Sequence, residues 1–238
     1  MSVLLDVRHV HVREPSHGTP ILHDVSFQLY QGDFMILLGA NGSGKSSLMR
    51  VLCGLSSPTS GEVLLNGRPL HKLSLSAIAS RIRTLTQDPA VSTFGDLTVR
   101  ENCQLARTDG MDRSALQNYL RDFHPQLPHK LDTFARTLSG GQRQSLALAM
   151  GLLRPLTVLL LDEHTSALDP GAAQRVMRLT AACAKQLPHA AIVTATHRLD
   201  DALQVGNRLM LLHEGRIAYH VAGDEKRRLT KQELVELY

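Results

Sequence analysis

Cysteine is scarce in this sequence, and long hydrophobic runs are missing. The three cysteines, Cys53, Cys103 and Cys183, lie far apart without metal-finger spacing, which argues against a zinc module and predicts reduced, structural thiols. The longest apolar runs, such as Phe34–Leu38, have the length of a strand, short of the roughly 18 residues that cross a bilayer. No signal peptide is expected, because the N-terminus lacks a basic leader and an apolar segment. Any membrane association is expected to come through a partner.

Charge of one sign is not in large excess either. The net charge is +4, and the basic triplet Lys226-Arg227-Arg228 is predicted to be a solvated surface turn, so we expect no nucleic-acid partner. His9 and His11 alternate along a predicted strand and are expected to line a surface or core face rather than bind a metal. A chain of 238 residues with 43% hydrophobic residues can form one globular domain, with or without an inserted lobe.

Strand-like and helix-like patterns alternate, which predicts an α/β fold with a mostly parallel core sheet. The predicted strands are residues 3–12, 25–29, 34–38, 62–65, 158–161, 191–195, 209–213 and 216–220. The predicted helices contain Leu48, Val51, Leu52 and Leu55; Leu146, Met150 and Leu153; and residues 174–185. Residues 89–137 lack buried-strand runs and are predicted to be a helical lobe, inserted between core segments 1–88 and 138–238 of a single domain.

A glycine-rich loop lies between a predicted strand and a predicted helix. It fits the G-x-x-x-x-G-K-S/T pattern in full, with Gly39, Ala40, Asn41, Gly42, Ser43, Gly44, Lys45 and Ser46. Backbone N–H groups in such a loop form an anion-binding nest, and the helix adds its positive end. Lys45 is expected to reach the β- and γ-phosphates and Ser46 to bind Mg²⁺, and Ser47 is a further ATP-binding candidate. The flanking strand and helix disfavour a chance glycine turn.

Two carboxylates end the apolar run at residues 158–161. In a parallel sheet this end lies beside the phosphate loop. Asp162 is therefore expected to hold the Mg²⁺ shell, and Glu163 to polarise the attacking water as general base. The alternative is that these acids only end the strand and have no catalytic role. The presence of two adjacent carboxylates and of the upstream phosphate loop disfavours this alternative for both residues.

A third phosphate-related segment, Ser139-Gly140-Gly141-Gln142, precedes a predicted helix. Its backbone N–H groups and serine hydroxyl can bind an anion. One chain cannot sensibly use two helix ends on opposite sides of one γ-phosphate, but a second chain can. The three segments together therefore predict ATP bound between two copies.

These segments resemble the nucleotide-binding subunit of an ABC transporter, and the resemblance covers essentially the whole chain. The phosphate loop is similar to Walker A, residues 158–163 to Walker B, and residues 138–142 to the ABC signature. Gln87 is similar to the Q-loop glutamine, and His197 is similar to the switch histidine. Asp169 lies in a segment similar to the D-loop. Most other phosphate-loop proteins lack the signature, the D-loop and the switch histidine.

The resemblance implies a P-loop ABC ATPase fold, with an N-terminal antiparallel β subdomain and an inserted helical lobe. It also implies a head-to-tail homodimer, in which two ATP molecules with Mg²⁺ lie between Walker segments and the partner's signature. Gln87 would touch Mg²⁺ and water, and His197 the γ-phosphate. The partners implied are a transmembrane permease, reached through the groove near Gln87 and the lobe beginning at Thr98, and a substrate-binding protein acting through that permease. The implied location is the cytoplasmic face of the inner membrane.

Two positions depart from the family pattern. The family stacks an aromatic ring on adenine in the loop after the first strand, but residues 13–20 contain none, so His17 or His11 is the candidate there, with a solvated loop histidine as the alternative. The family commonly has proline after the catalytic glutamate, where this chain has His164. His164 is expected to cap or pack, with sensing of protonation near the site as the alternative.

The segments around residues 162–170, 206–209 and 213–217 resemble ATPases of bacterial importers that use a lipoprotein-type binding protein, some of them of tryptophan or tyrosine type. The sequence ends at Tyr238, without the regulatory domain that sugar-importer ATPases often carry. We therefore expect an importer ATPase for a small solute, with an amino acid as one candidate. The alternatives are a soluble ATPase of assembly, such as iron–sulfur scaffold loading, and an exporter ATPase. Intact Lys45, Asp162, Glu163 and His197 argue against a binding module without turnover.

Overall fold

Two β-sheets and a set of helices make up the computed structural model, which describes residues 2–14, 16, 18–106 and 110–238. The strands are β1 (Val3–Arg13), β2 (Pro20–Tyr30), β3 (Phe34–Leu38), β4 (Ser60–Leu65), β5 (Arg68–Pro69), β6 (Ile82–Leu85), β7 (Val158–Asp162), β8 (Ala191–Thr196), β9 (Arg208–His213) and β10 (Arg216–Ala222). The α-helices are α1 (Lys45–Leu52), α2 (Leu75–Ala79), α3 (Pro89–Ser92), α4 (Val99–Ala106), α5 (Arg113–Arg121), α6 (Gly140–Leu152), α7 (Pro170–Gln186), α8 (Leu199–Gln204), α9 (Gly223–Arg228) and α10 (Lys231–Leu237).

The core sheet has the strand order β10-β9-β3-β8-β7-β6. Its strands are parallel from β9 to β6, and β10 closes one edge as an antiparallel hairpin with β9. Every residue of β3 and β8 is buried, as expected for parallel strands covered on both faces. Because the carboxyl ends of parallel strands meet at one edge, the segments after β3, β6, β7 and β8 lie side by side.

The second sheet is antiparallel, in the order β2-β1-β4-β5. Its apolar face packs together with α1 against one face of the core sheet, in a cluster that includes Leu5, Phe27, Leu48 and Val193. Helices α6, α7 and α10 contribute to a second cluster on the other face, where Leu148, Cys183 and Leu234 pack near Ile36 and Leu161. The core sheet is thus covered on both faces, which supports the α/β layering predicted from the pattern.

A third apolar cluster lies among α4, α5 and α6. Val99, Cys103, Leu116 and Leu120 pack there on Leu146 and other α6 residues. The segment before α4 is fixed by Asn102, which is fully buried and bonds to the backbone of residues 94–98. No helix among the described residues is both long and apolar enough to cross a bilayer.

Some predicted details are wrong. Leu55 lies beyond the end of α1 and is exposed, because the helix ends at Leu52. The basic triplet is not a solvated turn: it ends α9, and Lys226 is buried with its Nζ donating to the carbonyls of Leu203 (3.2 Å) and Val205 (2.7 Å). Several elements had no counterpart in the sequence prediction, among them β6, α2, α8 and α10.

Candidate nucleotide site

The phosphate loop connects the buried strand β3 to α1. Gly42 and Gly44 have φ angles of 81° and 103°, in the left-handed region that only glycine adopts without strain. A Cβ on Gly39 would lie 2.5 Å from the carbonyl oxygen of Leu212, so a side chain cannot fit there. These three positions require glycine for the backbone to turn tightly from the sheet into the helix.

Lys45 is buried at the start of α1. Its Nζ donates to the carbonyl oxygens of Gly39 (2.8 Å) and Ala40 (3.0 Å). The same Nζ lies 3.4 Å from Oε1 of Glu163, the residue directly after β7. The ammonium group is therefore held over the mouth of the loop, where it neutralises one oxygen of the Glu163 carboxylate.

Glu163 occupies a strained backbone position, with φ of 47°. Its N–H donates to the carbonyl of Ala195 (3.1 Å), and its own carbonyl accepts from the N–H (3.0 Å) and the hydroxyl (2.9 Å) of Ser166. These bonds hold the residue in the left-handed region, so its side chain turns toward the loop after β8. There Oε2 lies 3.3 Å from Nδ1 of His197.

Asp162 ends β7, beside Ser46. Burial raises the pKa of this carboxyl group, and the charge of Glu163 adds to the effect, whereas a hydrogen bond with Ser46 and the charge of Lys45 oppose it. Among the described residues, neither Oδ1 of Asp162 nor Oγ of Ser43 has a hydrogen-bond partner, although both are buried. Such orphaned oxygens fit the chemistry of a bound Mg²⁺ and a phosphate, because Mg²⁺ prefers carboxylate, hydroxyl and phosphate oxygens.

An open cavity of about 600 Å³ lies over the phosphate loop, and Asp162 and Ser43 are not among the residues that line it. Its lining brings together the predicted residues Asn41, Gly42, Gly44, Lys45, Ser46, Ser47, Gln87, Glu163 and His197. It also includes two residues that the sequence reasoning missed, Ile21 and Ser166. The position of Ser166 in the segment similar to the D-loop could have pointed to it, whereas Ile21 lies in β2 and belongs to none of the motifs.

The signature residues line a different cavity, of about 490 Å³. Ser139, Gly140, Gly141 and Gln142 lie there with Asp169. Ser139 caps α6: its hydroxyl accepts from the N–H of Gln142 (3.4 Å), and Oε1 of Gln142 accepts from the N–H of Ser139 (3.2 Å). Asp169 caps α7 in the same way, accepting from the N–H of Ala172 (2.9 Å).

The sequence offered two histidines, His17 and His11, as candidates to stack on adenine. His17 lies outside the described residues. His11 is in β1, paired with β4, and does not line the cavity of the phosphate loop. Within the described part of the chain, Ile21 is the apolar side chain on that wall.

His164 packs in the interior, directly after Glu163. Its Nε2 lies 3.2 Å from Oγ1 of Thr180, whose hydroxyl donates to the carbonyl of Val176 (3.0 Å). Nε2 must therefore carry the proton and donate to Thr180. Burial lowers the pKa of His164 to about 4, which keeps the imidazole neutral at neutral pH.

The comparisons with known proteins agree with this architecture. The family described as ABC transporter matches residues 22–166. A tyrosine transport ATP-binding protein of Clostridioides difficile (strain R20291) is 34% identical, over 99% of this chain and 98% of its own length. Among solved structures, cbiO1 from Clostridium perfringens, described as part of the ABC transporter complex cbiONQ, is similar with a TM-score of 0.82 and 25% identity, over 99% of this chain and 94% of that chain.

Longer relatives match over part of their length. The autoinducer 2 import ATP-binding protein LsrA of Enterobacter sp. (strain 638) is 32% identical over 91% of this chain, which spans 43% of that protein. An ATP-dependent lipid A-core flippase of Yersinia pestis is 32% identical over 90% of this chain, which spans 37% of it. The chain belongs to the ABC transporter family. Within that family it is an ATP-binding ATPase subunit, and the predicted P-loop ABC ATPase fold is confirmed.

Proposed function

We propose that this subunit drives a bacterial importer of a small solute, with an amino acid as the first candidate cargo. It would work as a homodimer on the cytoplasmic face of the inner membrane, beneath a transmembrane permease that receives cargo from a substrate-binding protein. The similarity to a tyrosine transport ATP-binding protein over nearly the full length of both chains supports the cargo class.

The proposal of a dimer rests on the separation of the phosphate loop from the signature within one chain. The two segments line different cavities of one chain, with Lys45 in the first and Ser139 in the second. A second copy placed head to tail would set its signature helix against the nucleotide of the first. Each of two ATP molecules would then lie between Walker residues of one copy and the signature and Asp169 of the other.

The triphosphate would bind along residues 39–47, where the inward-facing N–H groups and Lys45 complement its charge. Mg²⁺ would be held by Ser46, Asp162 and Gln87 together with phosphate oxygens, and when bound it would offset the charge that develops on the phosphates. Oδ1 of Asp162, which has no hydrogen-bond partner in the described part of the chain, supports this assignment.

Glu163 would act as the general base, and the contacts of its carboxylate indicate how it is controlled. Lys45 lies 3.4 Å from one oxygen of this carboxylate and His197 lies 3.3 Å from the other. A bound γ-phosphate would compete for the ammonium group of Lys45 and free the carboxylate for a water molecule. His197 would then contact the γ-phosphate, so closure of the dimer and activation of the base would occur together.

We also propose that residues 89–137 form the lobe that reaches the permease, with residues 1–88 and 138–238 as the catalytic core. An open groove of about 870 Å³ lies between β6, α3 and α6, beside Gln87. Arg83 and Thr86 of the core line it together with Val91 of α3 and Met150 of α6. A helix of the permease bound in this groove would be displaced by any movement of the lobe relative to the core.

The catalytic roles are tested by Glu163→Gln, which keeps the shape of the side chain and removes its basicity. The variant is expected to bind ATP as the wild type does and to lose about 10²- to 10⁴-fold in kcat. ATPase assays and fluorescent-nucleotide binding measure the two properties. Turnover at the wild-type rate would refute the role of Glu163 as base.

The transport role is tested by recovering partners of tagged Glu163→Gln protein with Mg-ATP from detergent-solubilised cells. A co-purified polytopic membrane protein with a neighbouring binding-protein gene would support import. The similarity to a flippase makes an exporter the second candidate, which a permease without a binding-protein gene would favour. Recovery of soluble scaffold proteins alone would instead favour an assembly ATPase.

A further inference from the structure

Helix α10 packs on α8, the helix that follows His197 along the chain. Leu234 of α10 is fully buried, in the apolar cluster against which Leu199 of α8 also packs. At the start of α10, Nζ of Lys231 donates to Oδ1 of Asp200 in α8 at 2.7 Å. These contacts fix α10 on the element that leads out of the nucleotide site.

Tyr238, directly after α10, reaches the segment between β8 and α8. Its hydroxyl donates to the carbonyl oxygen of His197 at 3.5 Å, the long end of a hydrogen bond. Burial raises the pKa of this phenol, and the charge of Glu163 adds to the effect. The hydroxyl is therefore protonated and a donor at neutral pH, and it lies near enough to the site for the Glu163 carboxylate to act on it.

The placement of the His197 ring depends on its backbone, because 41% of the side chain is exposed. Its Nδ1 lies 3.3 Å from Oε2 of Glu163. The peptide that follows His197 is held at both of its polar groups. Its carbonyl accepts from Tyr238, and its N–H, which belongs to Arg198, donates to Oγ1 of Thr196 at 3.1 Å. Because a peptide unit is planar, two bonds on its opposite sides define its orientation.

We propose that Tyr238 is a positioning residue for His197, so that α10 helps to set the geometry of ATP hydrolysis. The inference rests on the proposed contact of His197 with the γ-phosphate. Without the phenol hydroxyl, the peptide after His197 would keep only its bond to Thr196 and would rotate more freely. The imidazole would then meet the γ-phosphate in the reactive geometry less often, which slows the chemical step and leaves nucleotide binding intact.

The test compares Tyr238→Phe with the wild type, because phenylalanine keeps the ring and removes the hydroxyl. Tyr238→Phe is expected to lower kcat about three- to tenfold, as the loss of one neutral hydrogen bond would, with ATP affinity unchanged. ATPase assays measure kcat, and fluorescent-nucleotide binding in the Glu163→Gln background measures affinity. Tyr30→Phe is the matched control, since it removes a phenol hydroxyl that bonds to Gln28 within β2. This control should keep the wild-type kcat.

A double variant separates an effect through His197 from a general structural effect. In the His197→Ala background, Tyr238→Phe should cause no further loss, because the side chain that it positions is gone. Single-turnover assays followed over hours measure the slow residual hydrolysis of both variants.

The inference is overturned if Tyr238→Phe hydrolyses ATP at the wild-type rate, or if its ATP affinity falls as much as its kcat. An equal loss in Tyr30→Phe, or a further loss when Tyr238→Phe is added to His197→Ala, would also overturn it. A His197→Ala variant as active as the wild type would instead refute the proposed role of His197.

Discussion

Glu163 illustrates how the chemistry of this chain depends on single backbone positions. The left-handed φ of 47° costs free energy, and the bonds from Ser166 and to Ala195 compensate for it. The result is a carboxylate that reaches both Lys45 and His197. Ser166, which bonds to the carbonyl of Glu163, therefore contributes to the orientation of the base.

The buried His164 makes stability depend on pH in a defined window. Its pKa is about 4 in the folded chain, against about 6.5 when unfolded, so between these values the unfolded state binds more protons. The free energy of unfolding should therefore fall as pH drops from 6.5 toward 4, by up to about 1.4 kcal/mol per pH unit. It should not change with this group above pH 6.5.

Urea denaturation between pH 7 and pH 5, without nucleotide or Mg²⁺, measures this slope. His164→Leu removes the titrating group and leaves Thr180 bonded to Val176. The variant should show a shallower slope over this window, by up to about one proton. Parallel slopes would contradict the assignment.

The thiols differ in their accessibility to reagents. Burial raises the pKa of Cys103 to about 12 and that of Cys183 to about 11, whereas Cys53 is partly exposed. At pH 8 the native chain should react with one equivalent of a thiol-specific disulfide reagent, and the unfolded chain with all three cysteines. Cys53→Ser should abolish the native reaction. Rapid reaction of the remaining thiols in that variant would contradict the burial of Cys103 and Cys183.

At the scale of the element, Asn102 joins α4 to the segment before it. Its Oδ1 accepts from the N–H of Phe94 (2.8 Å), and its Nδ2 donates to the carbonyls of Phe94, Leu97 and Thr98. Asn102→Ala should lower the free energy of unfolding by about 2 to 4 kcal/mol, because it leaves buried backbone groups unpaired. Asn118→Ala, on the exposed face of α5, should stay within about 0.5 kcal/mol. Equal losses in urea denaturation would contradict the prediction.

The elements that the sequence predicted best are those with a continuous apolar run. The strand at Phe34–Leu38 was predicted to the residue, since a buried parallel strand has no polar position to blur its limits. β6 was missed because Arg83 and Thr84 interrupt its apolar pattern, and in the structure Arg83 donates to the carbonyls of Gly151 and Arg154. Helix α10 was missed because Leu234 is the one buried residue of this helix. Its N-terminus is capped by Thr230 and Glu233, which form a capping box. The motif residues were predictable from their spacing, but the contacts of Gln142 and Ile21 depend on the folded chain.

For the whole molecule, ATP should stabilise the fold by binding the native state alone. At an ATP concentration about 100-fold above Kd the gain is about 2.7 kcal/mol, which raises Tm by roughly 5 to 10 °C for a chain of this size. Differential scanning fluorimetry of Glu163→Gln with Mg-ATP measures the shift. Adding Lys45→Ala should abolish it, because the cation at the mouth of the loop is removed. An equal rise in that double variant would show that ATP binds elsewhere.

Helix α6 belongs to two cores at once. Leu148 packs in the cluster under the core sheet, whereas Leu146, Ala149 and Leu153 complete the cluster of α4 and α5. A gene divided between Thr137 and Leu138 would therefore encode a lobe fragment that lacks one wall of its own core. Such a fragment could not be exchanged between relatives as an independent module, because its replacement would have to match the α6 already present. Inheritance should thus keep the surface proposed to meet the permease and the helix that bears the signature together as one unit.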